Sequence, residues 1–94
     1  MEVTIKNENG FLTYSVEDNE IIIDMIETFE KRKGTGKELI NSLKTIAAEL
    51  NLPIVLFVVP QDETITKEGL ISFYKSCYFD FHPDDVDYSY MIWN

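Results

Sequence analysis

Apolar residues in the first part of the chain form three short runs that are separated by polar turns. The runs cover residues 3–6, 11–16 and 21–28, and each has the length and composition of a β-strand. The first break contains Asn9-Gly10, a strong hairpin signal, and the second break, at 17–20, is entirely polar. The pattern therefore predicts an antiparallel meander of three strands.

The next segment changes from strand spacing to helical spacing. Its apolar residues recur every three or four positions, namely Leu39, Ile40, Leu43, Ile46, Ala47 and Leu50. This spacing predicts a helix over about 35–51, which ends before Pro53. The continuous apolar run at 54–59 is typical of a strand buried on both faces. With the strand at 21–28, the helix and this run predict a strand–helix–strand unit with parallel strands.

The C-terminal third predicts a second helix and two further strands. A polar loop at 60–65 precedes Thr66, which can cap a helix over 67–77. A short strand at 79–81, an acidic turn and a final strand at 88–93 follow. The whole order predicts an α/β (α+β) fold, in which a mixed, mostly antiparallel sheet contains a central parallel strand pair and carries two helices.

Composition limits the function classes that the chain can serve. The net charge is -9 and the isoelectric point is about 4.4, which argues against direct binding to a nucleic-acid backbone. The longest apolar stretch is too short to span a membrane, and the N-terminus lacks the pattern of a signal peptide. Cys77 is the single cysteine, so neither a disulfide framework nor a cysteine-rich metal site is expected. A reducing cytoplasm fits this composition.

A basic turn before the first helix is the most informative local feature. Lys31, Arg32, Lys33 and Lys37 are half of the eight Lys and Arg residues in the chain. Cations at the start of a helix oppose the helix dipole and cost stability, unless the site holds an anion. The turn therefore favours a phosphate group bound by free backbone N–H groups, and the alternative is a solvated surface turn.

Spacing excludes two familiar phosphate-binding loops. A Walker loop needs a glycine at Lys31 and a serine or threonine at Glu38. The dinucleotide fingerprint needs a third glycine at Leu39. What remains is a Gly34-Thr35-Gly36 turn between a strand and a helix.

Residues 31–36, Lys-Arg-Lys-Gly-Thr-Gly, resemble the acyl-coenzyme A loop of the GCN5-related N-acetyltransferase (GNAT) family, written Gln/Arg-x-x-Gly-x-Gly/Ala. Lys31 replaces the usual Gln or Arg. The segment at 73–79 resembles the family's Phe-Tyr-x-x-x-Gly-Phe, with Tyr78 in place of the glycine. Lys67 stands where the family frequently has an asparagine that contacts the pantetheine arm.

This resemblance implies acetyl-coenzyme A as cosubstrate, direct attack by an amine and no metal. The backbone of the loop, at Lys31, Arg32, Lys33, Gly34, Thr35, Gly36 and Lys37, would hold the pyrophosphate. The backbone of Met25 and Ile26 would bind the pantetheine arm and polarise the thioester carbonyl, in a slot opened by separation of the strands at 21–28 and 54–59.

The resemblance also assigns candidate catalytic residues. Tyr74 matches the tyrosine that protonates the departing thiolate, and its alternative is an ordinary core aromatic. Glu20 matches the glutamate that serves as general base in some members, with Asp24 and Glu27 as competitors, while many members use a water chain instead. Cys77 is expected to be a packing residue rather than a nucleophile.

At the level of the fold, the resemblance implies a minimal GNAT domain over residues 1–94. It covers the family core from the second strand to the C-terminus and lacks the N-terminal strand and the first two helices. Because those helices wall the acceptor pocket in the family, an open acceptor side is expected, which suits a macromolecular acceptor.

A narrower resemblance covers nearly the whole chain. Segments at 23–25, 52–54, 60–62, 71–74 and 83–87 are similar to short phage-borne anti-CRISPR acetyltransferases, which acetylate a lysine of a type V CRISPR effector nuclease. This resemblance implies a basic protein acceptor and action in the cytoplasm of the host.

Other readings remain open at the level of sequence. A small bacterial acetyltransferase could use the same core on a polyamine, since an acidic surface also attracts small cations. A non-catalytic acidic module could bind a basic protein. The acidic segment at 84–87 is either a solvated turn or a contact for a basic acceptor, and His82 is expected to be a turn residue. Edge strands allow either a monomer or a homodimer.

Overall fold

Six strands form one mixed sheet in the computed structural model, which describes residues 2–29, 34–59 and 66–94. The strands are β1 (Glu2–Asn7), β2 (Gly10–Glu17), β3 (Glu20–Thr28), β4 (Ile54–Phe57), β5 (Asp80–Phe81) and β6 (Tyr90–Trp93). Their order is β1-β2-β3-β4-β6-β5, with β3 and β4 parallel and every other neighbouring pair antiparallel. Two helices, α1 (Thr35–Leu50) and α2 (Lys67–Ser76), complete the described part. The fold expected from the sequence is confirmed.

The polar breaks of the meander form the expected turns. Asp18 and Asn19 adopt positive φ angles of 52° and 63° and join the last pair of the β2–β3 hairpin. Two left-handed residues match the twist of the strands on either side, and Asp and Asn tolerate this conformation better than most residues. In the first hairpin the Asn7 side chain accepts a hydrogen bond from the Asn9 N–H, 2.9 Å away.

One face of the sheet packs against the helices. The hydrophobic core contains Ile21 and Ile23 of β3, Ile54 and Leu56 of β4 and Met91 of β6, together with residues of α1 and α2. The alternating residues of the same strands, Ile22, Val55, Phe57, Tyr90 and Ile92, are absent from that core cluster. The helices described here therefore cover one face, and the other face of the β3-β4-β6 region carries no described helix.

A β-bulge bends β3 at its centre. Tyr14 of β2 pairs with Ile23, and the preceding Thr13 pairs with Met25, so that Asp24 is an extra residue in β3. Parallel pairing with β4 ends at the same point, at Ile23 and Leu56. Because a bulge bends and twists its strand, β3 leaves β4 beyond Ile23 while it remains paired with β2.

Local capping sets the helix ends that the sequence predicted. The Thr66 side chain accepts a hydrogen bond from the Gly69 N–H, 3.0 Å away, and caps α2. Asn51, at φ 59°, ends α1, and the Leu52 N–H donates to the Ala47 carbonyl. The two C-terminal strands are shorter than expected, and β4 ends at Phe57 rather than continuing to residue 59.

A Schellman motif ends α2 although a tyrosine occupies its left-handed position. Tyr78 has a φ of 69°, and its N–H donates to the Lys75 carbonyl at 2.9 Å. The Phe79 N–H donates to the Tyr74 carbonyl at 3.0 Å, and the rings of Phe79 and Tyr74 meet edge to face. The turn is therefore formed despite the substitution of Tyr78 for glycine, at the cost of a strained backbone.

Replacing Tyr78 with glycine should raise the free energy of unfolding by about 1 kcal/mol, because glycine adopts positive φ without strain. The side chain is 83% exposed, so little packing is lost. Tyr78→Ala removes the same ring but keeps the backbone strain, so its free energy of unfolding should not exceed that of the parent. Urea unfolding of the three proteins measures the difference, and equal stability of the glycine and alanine variants would contradict the strain.

Candidate active site

A cleft of about 420 Å³ lies where β3 and β4 separate. Its walls come from β3, from the end of β4 and from one side of α2. The lining residues are Ile22, Ile23, Asp24, Met25, Ile26, Leu56, Phe57, Val59, Leu70 and Tyr74. The cleft therefore contains side chains from three elements that are far apart in sequence.

The β3 side of the cleft presents backbone as well as side chains. Met25 and Ile26 pair with Thr13 and Leu12 of β2, but the parallel ladder to β4 has already ended at Ile23. On the β4 side, this part of β3 has no strand partner among the described residues. An extended ligand with amide groups can use this free edge as another strand would.

Tyr74 forms the α2 side of the cleft and is nearly completely buried, with 6% exposure. Burial, and secondarily the nearby Cys77 thiol, raises the pKa of Tyr74 to about 12. The ring packs edge to face against Phe73 and Phe79, at centroid distances of 5.3 and 5.9 Å. The phenol is therefore held in position and protonated at neutral pH, and its role as a proton donor stays a prediction.

The N-terminus of α1 has the geometry of an anion site. The first backbone hydrogen bond of the helix runs from the Glu38 N–H to the Gly34 carbonyl, at 3.0 Å. The N–H groups of Thr35, Gly36 and Lys37 thus have no acceptor within the helix, and Gly34 has no side chain to cap them. Uncapped N–H groups and the positive end of the helix dipole favour a phosphate.

The two glycines of this turn serve different purposes. Gly34 has a φ of 71°, which favours glycine on backbone grounds alone. A Cβ on Gly36 would lie 2.8 Å from Cζ of Phe73. Gly36 therefore allows the first turn of α1 to pack directly on α2, one residue from Tyr74. The predicted contact of the Gly36 backbone with a pyrophosphate stays a prediction beside this packing role.

Comparison with solved structures places this arrangement in a family. The crystal structure of the anti-CRISPR protein AcrVA5 is 44% identical, with a TM-score of 0.95, and the alignment covers 99% of this chain and 98% of that chain. The chain belongs to the AcrVA5 family. No protein-family model matches it, and no curated protein sequence does.

Two more distant structures show that the AcrVA5 family shares the GNAT fold. The PaiA N-acetyltransferase of Thermoplasma acidophilum, solved in complex with coenzyme A, is 18% identical with a TM-score of 0.67. A GNAT-family protein of Bacteroides thetaiotaomicron is 23% identical with a TM-score of 0.57. The alignments cover 89% and 97% of this chain but only 51% and 59% of those proteins. At these identities the similarity shows the fold alone.

Several cofactor-binding residues predicted for this AcrVA5 relative lie away from the cleft or outside the described residues. Lys31, Arg32 and Lys33 fall outside the described residues, while Lys37 is exposed on the first turn of α1. The Lys67 ammonium donates to the Asp87 carbonyl, 2.9 Å away, and Lys67 does not line the cleft. A role for Lys67 in contacting the pantetheine arm stays a prediction.

The three carboxylates considered as general base all lie in β3 but occupy different places, and Glu27, near its end, does not line the cleft. Asp24, at the bulge, lines the cleft and accepts a hydrogen bond from the Ser15 hydroxyl at 3.2 Å. Glu20 begins β3 and does not line the cleft. Glu20 alternates with the core residue Ile21 and therefore lies on the face of the sheet that carries no described helix, which we call the open face. Each base assignment stays a prediction.

Sequence reasoning missed the exposed part of the cleft wall. Phe57 and Val59 were expected inside a strand buried on both faces, yet they are 61% and 63% exposed. The β4 ladder ends at Phe57, and Val59 lies beyond it. A pattern of apolar residues cannot distinguish a strand interior from the wall of a cleft, because both are apolar.

The remaining candidates are structural in the described part of the chain. Cys77 is buried in the core cluster. His82 accepts a hydrogen bond from the Asp84 N–H at 2.9 Å, as expected of a turn residue. Residues 2–29, 34–59 and 66–94 contain no cluster of His, Cys, Asp and Glu that could hold a metal ion. Neither described helix is long and apolar enough to cross a membrane.

Replacing Gly34 with alanine should lower the free energy of unfolding by about 1 kcal/mol, since an L-residue at this φ is strained. The loss would come from the backbone, because no atom of residues 2–29, 35–59 or 66–94 lies within 4 Å of the added Cβ. Gly34→Asn should lower the free energy of unfolding by less than Gly34→Ala does, because asparagine tolerates the left-handed region. Urea unfolding compares the three proteins, and a stable alanine variant would show that the turn is not constrained.

The raised pKa of Tyr74 predicts a pH-dependent stability. The buried neutral phenol stabilises the native state below the ordinary pKa of 10.0, and this contribution is lost as pH rises toward about 12. Between about pH 9 and about pH 11, the parent should lose about 1 kcal/mol more stability than Tyr74→Phe. Thermal or urea unfolding at both pH values measures the difference, and parallel pH curves would contradict the burial effect.

Proposed function

We propose that the chain is an acetyl-coenzyme A-dependent N-acetyltransferase that modifies a protein lysine and acts as an anti-CRISPR. The observation that carries the proposal is the cleft between β3 and β4, with the buried, protonated Tyr74 in its wall. Membership of the AcrVA5 family and the GNAT fold support the same function.

The residues present fit coenzyme A. Its pantetheine arm is a linear chain with two amides, which matches the narrow apolar cleft and the free edge of β3 at Met25 and Ile26. Its pyrophosphate suits the uncapped N–H groups of Thr35, Gly36 and Lys37. Lys31, Arg32 and Lys33 adjoin this end in sequence and would add positive charge.

In acetyl transfer to an amine, this chain would position the reacting groups and transfer protons. Acetyl-coenzyme A provides an activated acetyl thioester when bound. Backbone N–H groups of β3 at Met25 and Ile26 would polarise the thioester carbonyl. Tyr74 would donate its proton to the departing sulfur, and Asp24 or Glu20 would accept the proton that the attacking amine loses.

An open cleft favours a macromolecular acceptor over a polyamine. Phe57 and Val59 are largely exposed at the wall, and no described element closes the space above them. Together with the family's anti-CRISPR role, this supports a lysine of a type V CRISPR effector nuclease, in the host cytoplasm, as the acceptor. The net charge of -9 suits the basic surface of a nucleic-acid-binding enzyme.

Incubation with acetyl-coenzyme A and a type V CRISPR effector nuclease, followed by mass spectrometry, should yield an acetylated lysine on the nuclease. Tyr74→Phe should lower the rate constant about 10²-fold, because it removes the proton donor. Tyr88→Phe removes a phenol that is 69% exposed and should retain the parent rate. Asp24→Asn and Glu20→Gln, assayed in parallel, identify the base as the variant with the larger loss.

Three results would contradict parts of this function. Acetylation of polyamines alone would replace the protein acceptor with a small amine. A Tyr74→Phe variant at full rate would remove Tyr74 from the chemistry. Absence of both acetyl transfer and coenzyme A binding would favour a non-catalytic acidic module.

A further inference from the structure

Three aromatic rings stack in a row on the open face of the sheet. Phe57 of β4 lies against Tyr90 of β6, with ring centroids 4.6 Å apart and planes 7° apart. Tyr90 in turn lies against His82, at 4.1 Å and 14°. We call these three residues the aromatic row. The row reaches the cleft, because Phe57 also lines its wall.

The surface beside the aromatic row is apolar and carries no described helix. Ile22, Val55 and Ile92 occupy paired positions on three neighbouring strands and therefore share this face. None of them belongs to the core cluster that packs against α1 and α2. Val55, at the centre, is buried with 1% exposure, Ile22 and Ile92 on either side are half-buried, and Phe57 is 61% exposed. This apolar surface continues directly from the mouth of the cleft.

Negative charge borders the same surface. Asp80 pairs with Ile92 and shares its face, and Asp24 lies at the cleft. Glu20 shares the face of Ile22 by alternation along β3, and the Asp84 N–H donates to His82 of the aromatic row at 2.9 Å. The strands β3, β4, β5 and β6 contain no Lys or Arg at all. A face with aromatic rings at its centre and only acidic charges in its strands is complementary to a cation.

We propose that this open face docks a basic segment of the acceptor protein, with a guanidinium or ammonium group on the aromatic row, and so directs the neighbouring lysine into the cleft. The proposal rests on the proposed function, because it identifies the surface that the acceptor would contact. Because the rings stack on one another, only an outer ring has a free face, and Phe57 is the one that is 61% exposed. Arginine is well suited to this end of the row, since its planar guanidinium stacks on an aromatic face while carboxylates bind its N–H groups.

The turn that carries one end of the aromatic row is fixed by its own hydrogen bonds. One carboxylate oxygen of Asp85 accepts from the N–H groups of Ser89 and Tyr90, at 3.0 and 2.9 Å. The other accepts from the Tyr88 N–H at 2.9 Å. Asp85 therefore holds the turn between His82 and Tyr90 in one shape, which lowers the entropy lost on docking.

Backbone ¹H–¹⁵N NMR spectra can locate the docking surface directly. The probe is a seven-residue peptide with one lysine between two arginines, and a peptide with glutamine in place of both arginines is its matched control. The basic peptide should shift signals of the open face, at residues 55–57, 80–84 and 90–92, and leave the outer surface of α1 unchanged. The glutamine peptide should shift them far less.

Charge reversal tests the electrostatic part of the proposal. The double variant Asp80→Lys/Asp84→Lys should lower the affinity for the basic peptide about fivefold or more. The loss should be smaller at high salt, which screens the charges. Glu49→Lys changes the same kind of charge on α1, on the helical side of the sheet, and should leave binding within about twofold of the parent. Asp84→Lys alone, at a side chain that is 85% exposed, replaces the double variant if the latter fails to fold.

A parallel titration with coenzyme A tests the proposed acetyltransferase function separately from the docking surface. Shifts at Gly34 to Lys37 and along β3 report the cofactor site, independently of the peptide. Coenzyme A binding without peptide shifts on the open face, up to millimolar peptide, would overturn the docking surface and keep the proposed function. Peptide shifts confined to α1 or α2, or equal losses in the Glu49→Lys and Asp80→Lys/Asp84→Lys proteins, would overturn it as well. Peptide shifts on the open face without coenzyme A binding would support the docking surface and contradict the proposed acetyltransferase function.

Discussion

The separation of β3 from β4 is the constraint on which the rest of the molecule depends. The two strands make only three parallel pairs, at Ile21, Ile22 and Ile23, before the bulge at Asp24 bends β3 away. A continuous ladder would satisfy more backbone hydrogen bonds, so the open edge leaves polar groups that a ligand can use. The same bulge keeps β3 paired with β2, and the gap is therefore held open by a sheet that is otherwise complete.

One contact between the helices and one turn at the end of α2 organise the residues beside this gap. Gly36 lets the first turn of α1 approach Phe73 closely, so the N-terminus of α1 lies beside the helix that carries Tyr74. The Schellman motif at Tyr78 then fixes Tyr74 through its own carbonyl and through the ring of Phe79. Backbone strain at Tyr78 is tolerated because the turn also positions a buried aromatic cluster. A small domain thus brings the N-terminus of α1 and the Tyr74 side chain, the two parts of the proposed site, together with a few close contacts.

The described helices cover one face of the sheet, and the other face is the one proposed to contact the acceptor. An exposed apolar surface is usually a liability, since it promotes association. Here the acidic residues around it and the net charge of -9 disfavour self-association and favour a cationic partner. The acidic turn, which sequence alone could treat only as solvated or as an acceptor contact, is rigid through Asp85 and adjoins the aromatic row. The cleft and the open face together suit an acceptor much larger than a polyamine.

The sequence by itself determined the strands, both helices, the hairpin turns and the Thr66 cap, because these depend on short-range periodicity and on neighbouring side chains. It also indicated the Gly34 turn and the place of Tyr74 by similarity of short motifs. Glu20 and Asp24 lie four positions apart in one strand, and the sequence does not distinguish their surroundings. Only the tertiary structure decided that Asp24 is a bulge residue at the cleft while Glu20 lies outside it. It also decided that Gly36 packs against Phe73, that Phe57 is exposed, and that Tyr74 is buried enough for its pKa to rise. Each of these depends on contacts between residues far apart in the chain, which no local pattern contains.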